Sequence, residues 1–427
     1  MTWLIAARTV QGAGGGAIQA VASIIISDLV SLKERGVYNS LIGLTWGVAC
    51  TLGPLVGGAF AQQGNWRWIF YMNLPIAGLS AALVFFSLKL RKPEGRTREK
   101  LARMDWVGNI LIIASTSACI IGLTWGGIQY AWNSAHVLGP FIVGLCGIGA
   151  FLYYEAKFAK YPMAPLSLIS NGTSISGYAQ IFALPVINLA VTYYQETYYQ
   201  ACKGATAIRS GVLTLAVSLC LAPAMIICGL SITISKGYRV QLWLGWVVLI
   251  VAMGLMSTVD SRTELVKPQV YTGLVGTGVG ILYAGTYFPV LAPLPISENA
   301  HALSFFIFCR SFAGVWGVTI GGAILQNQLQ KRLPAEFLQE LPQGVALAFS
   351  AIPSINNLED PLRSDVRQAF AKSIASIWQV MVGIAGIGLI SSLFMKAFLL
   401  HTQLDERWGL DEKQLQQSDQ ATIENDA

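Results

Sequence analysis

The chain has 427 residues, of which 54% are hydrophobic and only 12% charged, with mean hydropathy +0.55 and formal net charge +6. Soluble globular domains carry about a quarter charged residues, so this balance excludes a water-soluble enzyme and fits a chain embedded in lipid. The seven cysteines are scattered without metal-ligand spacing, and all but Cys202 lie in apolar segments, which argues against a disulfide framework.

Crossing a bilayer takes about twenty apolar residues, and about eleven runs meet that length. They span roughly 3–28, 37–61, 68–88, 106–126, 138–156, 174–199, 210–235, 240–259, 270–293, 304–326 and 376–399. The first run is too long and too rich in glycine for a cleavable signal peptide, and it lacks a basic front. Short loops after the first, third, fifth and seventh runs hold most of the basic residues, among them Lys33, Arg35, Arg91, Lys92, Arg96, Lys157, Lys160, Lys236 and Arg239. That asymmetry makes those loops cytoplasmic. The chain is therefore expected to start outside and end inside, with Gln328–Lys372 external and the acidic tail from Gln403 cytoplasmic.

The first run carries Arg8 and Gln11 ahead of Gly12, Gly14, Gly15 and Gly16. Arg8 lies roughly 8 Å inside the helix end at 1.5 Å per residue, where a guanidinium needs a cavity, a partner or an outward reach to headgroups. Gln11, one turn away, shares its face and serves substrate or Arg8. Asp28 closes the same run. The second run, Gly43 to Gly58, reads GLTWGVACTLGPLVGG and combines Trp46 with Gly43, Gly47, Gly53, Pro54, Gly57 and Gly58. Glycines four apart put a small surface on one helix face and let a neighbour approach backbone to backbone. Pro54 removes an N–H and favours a bend. The third run opens on Trp66-Arg67-Trp68-Ile69-Phe70-Tyr71-Met72-Asn73-Leu74-Pro75.

Further on, Asn171-Gly172-Thr173 is a glycosylation triplet on the expected cytoplasmic side. Tyr193, Tyr194, Tyr198 and Tyr199 surround Glu196 near an outer helix end, where a carboxylate with aromatic faces suits cations or protons; a hydrated interfacial belt has the same composition. Arg310, near the start of its run, reads as an interfacial anchor. The sequence has no phosphate-binding Gly-Lys-Thr loop, His/Cys metal cluster or Gly-x-Ser-x-Gly, so no cofactor or metal is expected.

Taken together, Arg8-x-x-Gln11-Gly12, the Gly53-Pro54-x-x-Gly57-Gly58 stretch and the Trp66–Pro75 stretch resemble the major facilitator superfamily, in its fourteen-helix drug:proton antiporter branch. Those motifs open or occupy the fourth, fifth and sixth helices of that family. Tyr193 to Gly204 and Phe288 to Arg310 look like fungal members in particular. The resemblance implies an all-α integral membrane fold of three, two and six helices, with the first three-helix repeat missing from the N-terminal half. The expected organisation is 1–90 for the rest of that half and 91–156 for a basic cytoplasmic linker with two inserted helices. A C-terminal six-helix half at 157–400 with the external loop 328–372 follows, then a cytoplasmic tail at 401–427.

The resemblance also implies a proton-coupled exporter of small amphipathic molecules (drug, toxin or secondary metabolite), in the plasma membrane or the vacuolar membrane. Its partners are lipid, small-molecule substrate and protons, with no nucleic acid and no enzyme chemistry. Uptake, for example of an iron chelate, and a non-transporting fragment or scaffold are the alternatives. Proton-coupling candidates are Arg8, Glu196 and Asp28, with Arg8 and Glu196 placed to form an outer gate. Substrate-cavity candidates are Gln11, Trp46, Tyr193, Tyr194 and Tyr198. Gly53 and Gly57 are expected to hold the second helix against the C-terminal half, so that Gly57→Leu abolishes export.

The charge asymmetry makes one direct prediction. A cysteine at position 171 should resist membrane-impermeant thiol labelling of intact cells, and cysteines within 330–370 should react. The reverse pattern overturns the topology.

Overall fold

The computed structural model describes residues 2–30, 35–87, 97–102, 104–163, 166–169, 171–295, 298–340 and 347–398. The basic stretch 88–96, the side chain of Asp28 and the tail from 401 lie outside the described residues. Among those described, eleven helices are long and apolar enough to cross a membrane, and the lone bridge between Gly126 and Tyr130 is the single piece of β pairing.

In chain order the long helices are α1 (Thr2–Leu29), α2 (Arg35–Gln62), α3 (Asn73–Ser87, after a turn at Trp68–Tyr71), α4 (Trp106–Trp125) and α5 (Ala135–Lys157). They continue with α6 (Gly172–Lys203), α7 (Ala207–Ser235), α8 (Arg239–Met256), α9 (Val266–Gly285), α10 (Asn299–Arg332) and α11 (Leu362–Leu393). Local chemistry sets several of these ends. Asp105 Oδ1 accepts from Gly108 N–H at the start of α4, and Asn171 Oδ1 accepts from Thr173 and Ser174 N–H at the start of α6. Asn171, read from sequence as a glycosylation triplet, is thus an N-cap. Gly204, with φ +61°, ends α6 in the left-handed region that favours glycine.

Helix α6 is the axis of the C-terminal six. It packs on α10 and α11, while α7 packs on α9, α9 on α8, and α8 on α11. Lipid removes the hydrophobic drive for helix association, so close packing and polar contacts must hold such a bundle. Both are visible at its centre. Trp246 of α8 is fully buried and donates from Nε1 to Gln180 of α6 at 2.9 Å, and Gln180 donates to Ser176 at 3.1 Å. A Cβ on Gly388 of α11 would come within 2.4 Å of the Trp246 ring, so that glycine is the ring's socket. The pair α4–α5 lies against the same six helices through α10, where Trp132 Nε1 donates to Asn327 Oδ1 at 2.8 Å.

Two expectations change at the expected outer end. Helix α11 begins at Leu362, well before the expected start near 376, because Arg363, Asp365, Arg367 and Lys372 keep its first turns out of a hydropathy window. The segment 328–372 is not a simple polar loop. It holds the end of α10, two short helices at Ala335–Glu340 and Leu347–Ile355, and the first turns of α11. Phe337, Ala351 and Ile355 are buried there, and Leu347 N–H donates to Gln326 at 2.8 Å. Nearby, Lys203 donates to the carbonyls of Ser261 and Thr263 at 2.6 Å, closing the α8–α9 turn onto α6.

The N-terminal helices meet this half along α2, which runs the length of α7, and more lightly where α1 meets α10. A Cβ on Gly43 would fall 2.0 Å from Met225 Sδ, and one on Gly47 would fall 2.9 Å from Ala222 Cβ. A Cβ on Gly58 would fall 3.2 Å from the backbone of Ala207 and Ile208, and one on Gly211 of α7 would fall 3.1 Å from Pro54. Gly53 and Gly57 have open space where a side chain would go, so they do not hold this contact. The helical phase gives the reason. Positions 43, 47, 54 and 58 recur on one stripe, while 53 and 57 precede two of them by one residue, about 100° round a helix of 3.6 residues per turn.

Gly47→Leu should therefore weaken the α2–α7 contact by roughly 1–3 kcal/mol of overpacking. Gly53→Ala should gain up to about 1 kcal/mol from helix propensity. Thermal unfolding of the purified chain should move down for the first and hold or rise for the second; equal losses would contradict the assigned face. A second prediction concerns the α8–α9 turn. Burial acts to raise the Asp260 pKa, but the N–H groups of Arg262 and Thr263, the Thr263 hydroxyl and Lys203 outweigh it and hold the carboxyl below its usual range. A depressed folded-state pKa contributes stability above the unfolded value, which is lost as pH falls through the folded one. Asp260→Asn should therefore lower the unfolding midpoint at pH 7, and the gap should close as the medium is made strongly acidic.

Candidate functional site

Beside the Gly43–Met225 contact of α2 with α7, a cavity of about 290 Å³ opens between the N-terminal helices and the C-terminal six. Its walls are Ile18, Gln19, Ala22 and Ser23 of α1, Ile42, Gly43 and Trp46 of α2, Leu221 and Met225 of α7, Tyr283 of α9, and Ile307 and Arg310 of α10. Leu221 and Met225 fall in the middle of α7, whereas Ile42 to Trp46, Ile307 and Arg310 lie in the first half of their helices and Tyr283 lies near the end of α9, so the cavity sits toward one end of the helix groups. A larger groove of about 440 Å³ lies along α7, α8 and α9, lined by residues such as Leu219 and Ile227. Both are more than half exposed on the outer surface, and the groove presents no charge, so it suits acyl chains better than a specific ligand.

Arg310 gives the inter-half cavity its chemistry. It is the one charged side chain among the described lining residues. Its guanidinium carbon lies 4.0 Å from the Tyr283 ring centroid and 5.8 Å from that of Trp46, and those two rings are 6.3 Å apart. Tyr283 is pinned from behind, since Asn188 Nδ2 donates to its hydroxyl oxygen at 3.3 Å. No carboxylate among the described residues comes within ion-pair distance of Arg310; the one described ion pair joins Arg363 to Asp360. A cation at the centre of a spanning helix costs about 2.5–3.5 kcal/mol on insertion scales, an upper bound for Arg310, which lies in the first half of the 34-residue α10. Cation–π contact returns roughly 0.5–2 kcal/mol. The aromatic contacts therefore offset only part of that cost.

The residues singled out from sequence fall into three groups. Trp46 lines the cavity, and Gly43 lies beneath Met225 in its wall. Arg8 and Gln11 share a face, with Arg8 donating to Gln11 at 2.9 Å and its guanidinium 5.0 Å from the Phe70 ring centroid, but neither lines the cavity. These contacts, and not Glu196, are the partners Arg8 has in the structure. Glu196 is half-buried near the end of α6 and has no hydrogen bond or ion pair among the described residues.

The tyrosines do not form a substrate wall. Tyr194 is buried and donates to the Val318 carbonyl at 2.6 Å, and Tyr198 is buried and donates to the Asp260 carbonyl at 2.9 Å. Both are committed to joining α6 to its neighbours. Tyr193 is exposed and stands outside the cavity lining. From a run starting at 304 Arg310 reads as an anchor, whereas α10 starts at Asn299, which carries Arg310 further from the helix start. Its signal was present, as the lone charged residue between Asn299 and Gln326. Tyr283, Gln19 and Ser23 had none, being ordinary residues that tertiary packing brings to one place.

Residues 1–318 match the Major Facilitator Superfamily. Over 96% of its length the chain is 34% identical to Efflux pump FUS6 of Gibberella moniliformis, covering 74% of that protein. It is likewise 34% identical to the MFS-type efflux pump LUC4 of a Fusarium species, over 96% of the chain and 74% of the relative. A third relative, the Acurin A biosynthesis cluster MFS-type transporter of Aspergillus aculeatus, is 33% identical over 95% of the chain and 75% of its own length. Helix content, the cavity between helix groups and these similarities converge, and the chain belongs to the Major Facilitator Superfamily.

Proposed function

We propose that the chain is a proton-coupled secondary exporter of small amphipathic molecules in the plasma membrane, with no enzymatic step of its own. The observation that carries this reading is the composition of the cavity wall. One side is α1 and α2, the other is α7, α9 and α10. Rocking one group against the other about the α2–α7 contact opens such a site alternately to each side. The moving bodies are residues 1–90 and 157–400, joined through 91–156. The relatives named as efflux pumps and as a biosynthesis-cluster transporter support outward movement of small organic molecules.

Proton coupling needs a titratable group that both states treat differently. Glu196 suits that role, being half-buried and unpaired among the described residues near the end of a spanning helix. Arg8 with Gln11 lies toward the same outer end and acts in the outer gate, and Asp28 acts at the inner one. Gln11 and Tyr193 contribute to the route between cavity and exterior rather than to the cavity itself.

Inverted vesicles with an acidic interior test the reading. The chain should accumulate an amphipathic dye against its gradient, and a protonophore should abolish that accumulation. Glu196→Gln should hold uptake near the protonophore level at every external pH while leaving insertion intact. Accumulation insensitive to the protonophore contradicts proton coupling, and none in folded protein contradicts export.

A further inference from the structure

We propose that the cavity between the helix groups selects carboxylate-bearing aromatic or otherwise rigid apolar molecules, and that Arg310 is the residue that reads their charge. The proposal rests on the transporter reading above and specifies its substrate class.

The first argument is the state of the guanidinium. Tyr283 at 4.0 Å stacks against the Arg310 guanidinium, and Trp46 stands close by. Stacking occupies a face of the group and leaves its five in-plane N–H donors free for an oxyanion. Among the described residues none of those donors meets a protein acceptor, and no carboxylate neutralises the charge. A carboxylate fits the planar fork with two parallel hydrogen bonds, the strongest neutralisation available to it.

The second argument is the rest of the wall. Tyr283 accepts at its oxygen from Asn188, so its own hydroxyl proton is left to donate. Gln19 and Ser23 add neutral polar groups on the opposite wall, and Trp46, Ile307 and Leu221 supply apolar surface for a ring. The described lining offers a cation no acid to pair with, and Arg310 would repel it across a medium that screens charge poorly. Discrimination therefore has both an attractive and a repulsive component. The volume of about 290 Å³ suits a body of one or two rings.

Three probes share one ring system and differ in charge: 1-naphthylacetate, 1-naphthylacetamide and 1-naphthylmethylammonium. Binding of each to the full chain is measured in phosphatidylcholine nanodiscs, and again with phosphatidylglycerol added, then uptake is followed in proteoliposomes. The acetate should bind roughly ten- to a hundredfold tighter than the amide, the ammonium weakest of all. Arg310→Gln should remove that preference and leave amide binding within about twofold, while Arg310→Lys, which keeps charge without the fork, should retain part of it. Thermal unfolding verifies that both variants fold. Loss of acetate binding on adding phosphatidylglycerol would make an anionic lipid headgroup the occupant and overturn the proposal. Equal or tighter binding of the amide or ammonium, an unchanged order in Arg310→Gln, or binding of none of the three would overturn it too. Selective binding without gradient-driven uptake would instead keep the charge selectivity and overturn the transporter reading.

Discussion

The close approach of α2 to α7 is the constraint on which the site depends. Met225 lies over Gly43, Ala222 over Gly47, and Gly211 against Pro54, so each helix presents small or recessed positions where the other protrudes. In lipid such interfaces gain little from hydrophobic burial and rely on backbone proximity and dense contact. A side chain at Gly47, against Ala222 Cβ, would push the helices apart, and one at Gly43 would displace the Met225 thioether from the cavity wall beside Trp46. Packing along this stripe and the geometry of the cavity are therefore one property.

The same arrangement bears on the charge that α10 carries within its span. Arg310 is reached by one aromatic ring from each helix group, Trp46 from α2 and Tyr283 from α9. Neither ring cancels the charge, and both orient it. Any motion that separates α2 from α9 and α10 also separates Trp46 from Arg310. In the proposed exporter, a ligand held at Arg310 would thereby couple to the relation between the helix groups, as alternating access requires.

Much of this fold was legible in the sequence, because the spanning length of an apolar run is a property of the run itself. The eleven helices follow the hydropathy closely except where charged or polar turns extend them, as at Arg363 to Lys372 and at Asn299. The glycine-rich stretch of α2 was legible as a packing surface, but not which glycines pack; that depends on the phase of the helix relative to α7. The tyrosines of α6 misled for a similar reason. Their hydroxyls look available in a sequence, and only the tertiary structure brings the carbonyls of Val318 and Asp260 to Tyr194 and Tyr198. Arg310 announced itself as a lone charge in an apolar run, while its partners Tyr283 and Asn188 come from other helices and leave no trace in local pattern.

The central claim is that both helix groups build one binding site around Arg310. A double-mutant cycle across the cavity tests it most directly, with Trp46→Ala from α2 and Arg310→Gln from α10, measured on the affinity for 1-naphthylacetate. Residues that share a ligand and touch one another couple by about 0.5–3 kcal/mol. The account predicts a coupling in that range, with the loss in the double variant smaller than the sum of the two single losses. Additive losses in folded proteins would contradict it, because Trp46 and Arg310 would then belong to separate sites.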